Sequence, residues 1–183
     1  AQEEQEANPE QAENLAILAR LKELARRQEA LAEKIKEIEA ALKEAKTEEE
    51  KDELERQLKR LKEEQEELLR DVDSLMERMD TEQNSERMSE EREQLAETRE
   101  DVQKANEQLK NDELAEAANS ATRAERKLDD MQEEFRKKTS SQFAEDMKNM
   151  RQKARELANA QEKIGEQFEK APNSADPFDD GCL

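Results

Sequence analysis

Residues 17–42 read ILARLKELARRQEALAEKIKEIEAAL, and residues 54–79 read LERQLKRLKEEQEELLRDVDSLMERM. In the first stretch Ile17, Leu21, Leu24, Gln28, Leu31, Ile35, Ile38 and Leu42 recur at alternating steps of four and three. In the second, Leu54, Leu58, Leu61, Gln65, Leu68, Val72, Leu75 and Met79 do the same. Such steps keep one stripe on one side of an α-helix, which is the seam of a helix that packs on another helix. Folding one stretch onto the other about residue 48 gives every position an apolar or glutamine partner: 42 meets 54, 35 meets 61 and 17 meets 79. The pattern predicts an antiparallel helical hairpin over 14–79.

Between the two stripes lies Lys46-Thr47-Glu48-Glu49-Glu50. Thr47 followed three residues later by Glu50 is a capping box, and acids in a first turn suit the helix dipole. The rival expectation is one helix running through residue 47 in a long parallel dimer, since phase breaks occur inside long coiled coils.

Composition narrows the class. The 183 residues include 51 Asp+Glu against 32 Lys+Arg, a net charge of -19, with 32% hydrophobic residues, no Trp and no Tyr. That is too little apolar mass for a wide core, but a seam between long helices needs only two positions in seven. Between Pro9 and Pro172 there is no proline, and the only glycine is Gly165. Strands need turns and turns favour Gly and Pro, so the fold is expected to be all-α. The acidity argues against nucleic acid and against an anionic membrane surface as partners, because both require a basic face. No run of about 20 apolar residues offers a bilayer span.

Further along, Asp80-Thr81-Glu82-Gln83-Asn84-Ser85 lacks apolar residues and predicts a break, with Ser85 as a cap for the next helix. That helix carries Met88, Leu95, Val102, Ala105 and Leu109, and Lys110-Asn111-Asp112 ends it. The last helix starts near Glu113 with Leu114, Ala118, Ala121, Leu128 and Phe135 on one face. Folded back, 109 meets 114, 102 meets 121 and 88 meets 135. After Thr139-Ser140-Ser141, read as a solvated helix face, the stripe resumes through Phe143, Met147, Met150, Ala154, Leu157, Gln161, Ile164 and Phe168. This distal stripe aligns antiparallel with Leu54–Met79, 168 with 54 and 143 with 79, in nearly the register of the 3–4 hairpin. The expected fold is therefore an elongated antiparallel coiled-coil rod. It has a hairpin over 14–79 and a hairpin over 86–170 whose long last helix packs back on the first. Leu15, Leu18 and Ala25 on helix 1, and Leu69 and Met76 on helix 2, widen the seams.

The domain expectation is an acidic lead-in over 1–12, one helical domain over 13–170 and a disordered acidic tail over 171–183. Its helices cover about 13–45, 48–80, 86–109 and 113–170. Glu23–Arg27 and Glu39–Lys43 are Glu-first pairs four apart that support helix 1. The chain opens on Ala1 and ends on Asp-Asp-Gly-Cys-Leu, which suggests a piece of a longer protein. Cys182 has no partner cysteine and reads as an incidental residue of the tail.

No catalytic constellation emerges. The chain has no histidine, which removes most zinc sites and the histidine-containing triads, and no Gly-rich phosphate loop. Asp176-Pro177-Phe178-Asp179-Asp180-Gly181 lacks the alternating ligands and closing Glu of a calcium loop. The expectation is no enzyme, no cofactor and no metal. Gln28, Gln65 and Gln161 read as register-fixing polar seam residues, and the methionines as core fillers.

The chain resembles long coiled-coil regions of membrane-anchored bacterial envelope proteins of unknown function, of the planctomycete type. The resemblance rests on Leu-Lys-Glu-Leu-Ala-Arg-Arg-Gln-Glu-Ala-Leu at 21–31, Glu-Glu-Gln-Glu-Glu-Leu-Leu-Arg-Asp at 63–71 and Phe-Arg-Lys-Lys-Thr-Ser-Ser-Gln-Phe-Ala at 135–144. It implies an anchor outside this sequence and no catalytic residues. The function expected is a non-catalytic structural or scaffolding segment, a rod, spacer or assembly module. The alternative is a protein-binding module that captures a partner helix or a second copy of itself.

Overall fold

A computed structural model describes residues 8–170. The chain is all-α: among the described residues there are four helices, α1 (Pro9–Glu44), α2 (Glu48–Met79), α3 (Ser89–Lys110) and α4 (Leu114–Lys170), and no strand. The expected tail and most of the expected lead-in, with Cys182, lie outside the described residues. Residues 9–12 of that lead-in are already helical.

The starts of α1 and α2 follow from local chemistry. Asn8 caps α1, its Oδ1 accepting from the Glu10 amide at 3.1 Å, with Pro9 in the first position where no amide is needed. Thr47 caps α2 by accepting from the Glu50 amide at 3.1 Å, and the Glu50 carboxylate reaches back to the Lys46 amide at 2.9 Å. The break at 45–47 is therefore a hairpin turn, not the interior of a continuous helix. Ser85 does not cap α3. The chain passes through consecutive turns over 80–88, and α3 starts at Ser89 behind Met88, with no side-chain cap. At the α3–α4 turn Asp112 takes the left-handed conformation (φ 58°). The Glu113 amide then bonds back to the Gln108 carbonyl at 2.8 Å, which ends α3 as a Schellman turn.

The chain divides inside α4 into two compact units, one ending at Thr139 and the other beginning at Ser140, where the stripes alone predict one domain over 13–170. The boundary falls in Thr139-Ser140-Ser141. Thr139 Oγ1 donates back to the Phe135 carbonyl at 2.9 Å, a bond through which a hydroxyl competes with the helix backbone.

In the first unit every helix runs antiparallel to the next. α1 and α2 are tied by Arg27–Asp71 (2.6 Å) and Arg78–Glu13 (2.7 Å). α2 and α3 are tied by Lys62–Asp112 (2.7 Å), by the Arg99–Asp73 pair and by Arg92–Asp80 (3.4 Å). α3 and α4 are tied by Lys127–Asp101 and Lys138–Glu91, both 2.7 Å. Lys22, Ala25, Arg26 and Glu29 of α1 share a groove with Glu125, Asp129 and Gln132 of α4, which closes a four-helix bundle.

This arrangement corrects two expectations. First, α2 serves two neighbours, and α3 is the second of them. The 80–88 connection folds α3 back along α2 instead of continuing it in tandem. Leu58, Leu61, Leu68, Val72, Leu75 and Met79 are buried between these neighbours, with Leu69 and Met76 partly buried against the same core. Second, the α1–α2 register differs from a fold about residue 48. Gln28 and Gln65 exchange two amide hydrogen bonds of 2.9 Å, both residues wholly buried. A fold about 48 would set Leu68 opposite Gln28 and leave a buried amide unpaired, which costs about 1–3 kcal/mol. Pairing one layer nearer the turn, which is centred on Lys46, satisfies both amides.

The remaining seam residues of this unit are buried as well. They are Ile17, Leu21, Leu24, Leu31, Ile35 and Ile38 on α1, Met88, Leu95, Val102 and Leu109 at or on α3, and Leu114, Leu128 and Phe135 on α4. Ala117, Ala118, Ala121 and Ala124 are at most 3% exposed, so the backbone of α4 lies close to its neighbours. Toward the hairpin turn Leu42 and Leu54 are half-buried. Leu15, expected to widen the seam, is 66% exposed instead.

Candidate functional site

The most densely bonded polar cluster ties the start of α1 to the α2–α3 connection. Arg78 donates to both carboxylate oxygens of Glu13, at 2.7 and 2.9 Å. Asn84, 1% exposed, donates to Glu13 Oε1 at 3.1 Å and to the Arg78 carbonyl at 2.9 Å, and accepts from Arg87 at 2.8 Å. Arg87 also donates to the buried Asn14 amide oxygen. Hydrogen bonds from Arg78 are the main reason that the Glu13 carboxyl is lowered from 4.5 to about 2; burial opposes the shift, and Asn84 and the charges of Arg78 and Arg87 add to it. Nothing in the periodicity singles out these residues. Asn84 sits in the stretch read only as a break, and the partners are far apart in sequence.

A depressed carboxylate contributes stability above its unfolded pKa and loses it as pH falls through the folded one. The Glu13 contribution should therefore be complete above pH 4.5 and disappear between 4.5 and about 2. With allowance for solvent screening, Glu13→Gln is expected to cost about 1–2 kcal/mol at neutral pH and to flatten that acid limb. Urea unfolding as a function of pH reads both effects; an unchanged acid limb in the variant would remove Glu13 from the account.

Other polar groups also act in packing. Asp101, 8% exposed at its side chain, faces Lys127 at 2.7 Å and Arg123 at 3.5 Å. Ser120 donates to Gln108 at 2.7 Å, and Thr98 turns its hydroxyl to the Gln94 carbonyl at 2.9 Å. Arg27, spaced for Glu23, reaches across to Asp71 instead, and Glu23 pairs with Arg26 at 2.7 Å. Glu39–Lys43 forms at 3.0 Å. Glu125 is shifted upward by burial first and then by the nearby charges of Glu29 and Asp129.

None of these groups assembles reactive chemistry. Among the described residues no cluster of carboxylates and thiols is placed to hold a metal, and no helix is long and apolar enough to cross a membrane. The groove at the α1–α2 turn has an apolar floor of Ile38, Ala41, Leu54 and Leu61, edged by Lys34, Glu37, Arg60 and Glu64. Its polar groups are long surface side chains, with no convergent set to orient a small molecule.

The second unit carries a long apolar stripe that is largely exposed. Phe143, Met150, Leu157, Ile164 and Phe168 are 50–79% exposed, Met147 is half-exposed and Gln161 is exposed. The sequence expects this stripe to be a buried seam, whereas Phe143, Met150, Leu157, Ile164 and Phe168 are exposed. Of the sequence-expected seam residues, those up to Phe135 are brought together in the bundle, and most of those from Phe143 onward are exposed.

Comparison with family models, with curated proteins and with solved structures finds no match to this chain.

Proposed function

We propose that this chain is a non-catalytic scaffolding module. Its bundle is the folded body, and the distal half of α4 is a coiled-coil surface for assembly with another helix. The reading is carried by the contrast between the two units. In the first, apolar stripes and buried amides are consumed by packing. In the second, the same spacing of four and three runs from Phe143 to Phe168, and Phe143, Met150, Leu157, Ile164 and Phe168 are at least half exposed. A solvent-exposed stripe of that length marks an interaction site more readily than an isolated exposed leucine does. An unpacked helix is also only marginally stable in water, and most helical stability in proteins comes from packing one face. An anchor elsewhere in a longer envelope protein, as the sequence resemblance implies, is compatible with such a module.

The full chain carrying Leu157→Asp and Ile164→Asp tests this. The slowest-exchanging amides of the bundle report its global stability. They should change by less than about 0.5 kcal/mol, as for surface substitutions. A loss of about 2 kcal/mol or more in the bundle would mean that the stripe is core, and would refute its use for assembly.

A further inference from the structure

The partner that the distal stripe fits best is a second copy of itself. We infer that residues 140–170 pair in parallel and in register, as a two-stranded coiled coil between two chains. This inference rests on the assembly reading of the stripe and names the occupant.

Charge is the first argument. The chain carries a net charge of -19, yet residues 140–170 hold six acidic and six basic side chains and no net charge. Residues 13–45 are balanced as well, but their apolar stripe is buried, so 140–170 is the neutral stretch with an exposed stripe that a second copy can approach without local repulsion. The stripe places Phe143, Met150, Leu157 and Ile164 at one seam position of the heptad and Met147, Ala154, Gln161 and Phe168 at the other. In a parallel pair the flanking positions then set Asp146 of each chain opposite Arg151 of the other, twice by symmetry. The next flanking pairs are Lys153 with Ala158 and Ala160 with Gly165, so no like charges meet.

The second argument is Gln161. An antiparallel pairing about the middle of the stripe sets Gln161 against Met150 and leaves its amide without a partner. A parallel, in-register pairing sets Gln161 against its own copy. The bundle already uses amide against amide, with Gln28 and Gln65 wholly buried and bonded reciprocally at 2.9 Å. A matched polar seam residue fixes register in such pairs.

The third argument is Gly165. It lies in the interior of α4, where glycine costs about 1 kcal/mol relative to alanine. A Cβ built there meets no atom within 4 Å, so the chain's own packing does not require it. Close approach of a second helix, flanked by Ala158 and Ala160, gives it a role.

The test uses the full chain. Sedimentation should show a monomer passing to a dimer as concentration rises, and Leu157→Asp should keep it monomeric. Asp146→Arg should weaken the dimer roughly three- to thirtyfold, and Asp146→Arg with Arg151→Asp should restore it. With Cys182→Ser to remove the native thiol, Ile164→Cys should give a disulfide-linked dimer under mild oxidation. In an antiparallel pair the two copies of residue 164 are about 26 Å apart, beyond the reach of a disulfide. A dimer that fails to cross-link through residue 164, or one that survives Leu157→Asp, overturns the parallel seam. A monomer at every concentration overturns self-association but leaves the assembly surface standing for another helix. Loss of bundle stability in the Leu157→Asp, Ile164→Asp chain overturns the assembly reading, and this inference with it.

Discussion

Leu68→Asp is expected to unfold the bundle. Leu68 is wholly buried on α2, the helix packed between α1 and α3. The substitution removes the transfer free energy of a leucine and places an unpaired carboxylate in its stead, a combination that costs more than about 4 kcal/mol. Total stability of such a domain is only about 5–15 kcal/mol, so a loss of this size consumes much or all of it. The milder Leu68→Ala leaves a cavity and should cost about 2–5 kcal/mol, read as a fall in urea midpoint at constant slope. The sequence ranks Leu68 and Leu157 as equivalent seam leucines, but Leu157 is 62% exposed. Leu157→Ala should therefore leave bundle stability within about 0.5 kcal/mol of the parent. Equal shifts for the two alanine variants would mean that the core has been assigned to the wrong stripe.

The Gln28–Gln65 pair should show the opposite signs for single and double substitution. Gln28→Ala leaves the Gln65 amide buried without its partner and opens a cavity, a loss of about 2–4 kcal/mol. Gln65→Ala should cost about the same. Replacing both with leucine removes the buried polar groups together, and the double variant should be about as stable as the parent or more so. A cycle closed with the double alanine variant should give a coupling energy of about 1–3 kcal/mol. If the two single losses simply add, the pair does not set the register. The double leucine variant keeps its stability but loses the feature that distinguishes one layer from the next. It should therefore tolerate a shifted hairpin more readily, visible as doubled NMR amide signals around residues 45–47.

Much of the fold is written in local patterns. Asn8-Pro9 and Thr47 with Glu50 define helix starts without reference to any neighbour, because a cap bonds amides two or three residues away. The stripes through Ile17–Ile38, Leu58–Met79 and Leu95–Leu109 identify buried faces, because the period of a helix converts spacing directly into direction. The absence of proline and near absence of glycine from 10 to 171 excludes a chain of strands and turns. The stripe proposed for assembly was half legible. The stripe from Phe143 to Phe168 could be read, but whether it was buried or exposed could not.

Which stripe meets which is a different kind of question. Every stripe with steps of four and three fits every other at some offset, so pairing by periodicity matched distal α4 to α2 as readily as it matched α1. The choice was made by groups that carry no period. Asn84, Glu13, Arg78 and Arg87 lock the 80–88 connection to the start of α1, and Arg99–Asp73 and Lys62–Asp112 hold α3 back along α2. Two buried glutamines moved the first hairpin by one layer, because an unpaired amide costs more in the interior than a leucine pairing gains. By itself, then, the sequence determined that the chain is helical, where α1 and α2 begin and which faces are apolar, since these depend on neighbours within one or two turns. Only the tertiary structure decided that α3 folds back along α2 and that most of the stripe from Phe143 to Phe168 is exposed. The fold of the first unit depends on single hydrogen bonds between residues up to 73 positions apart.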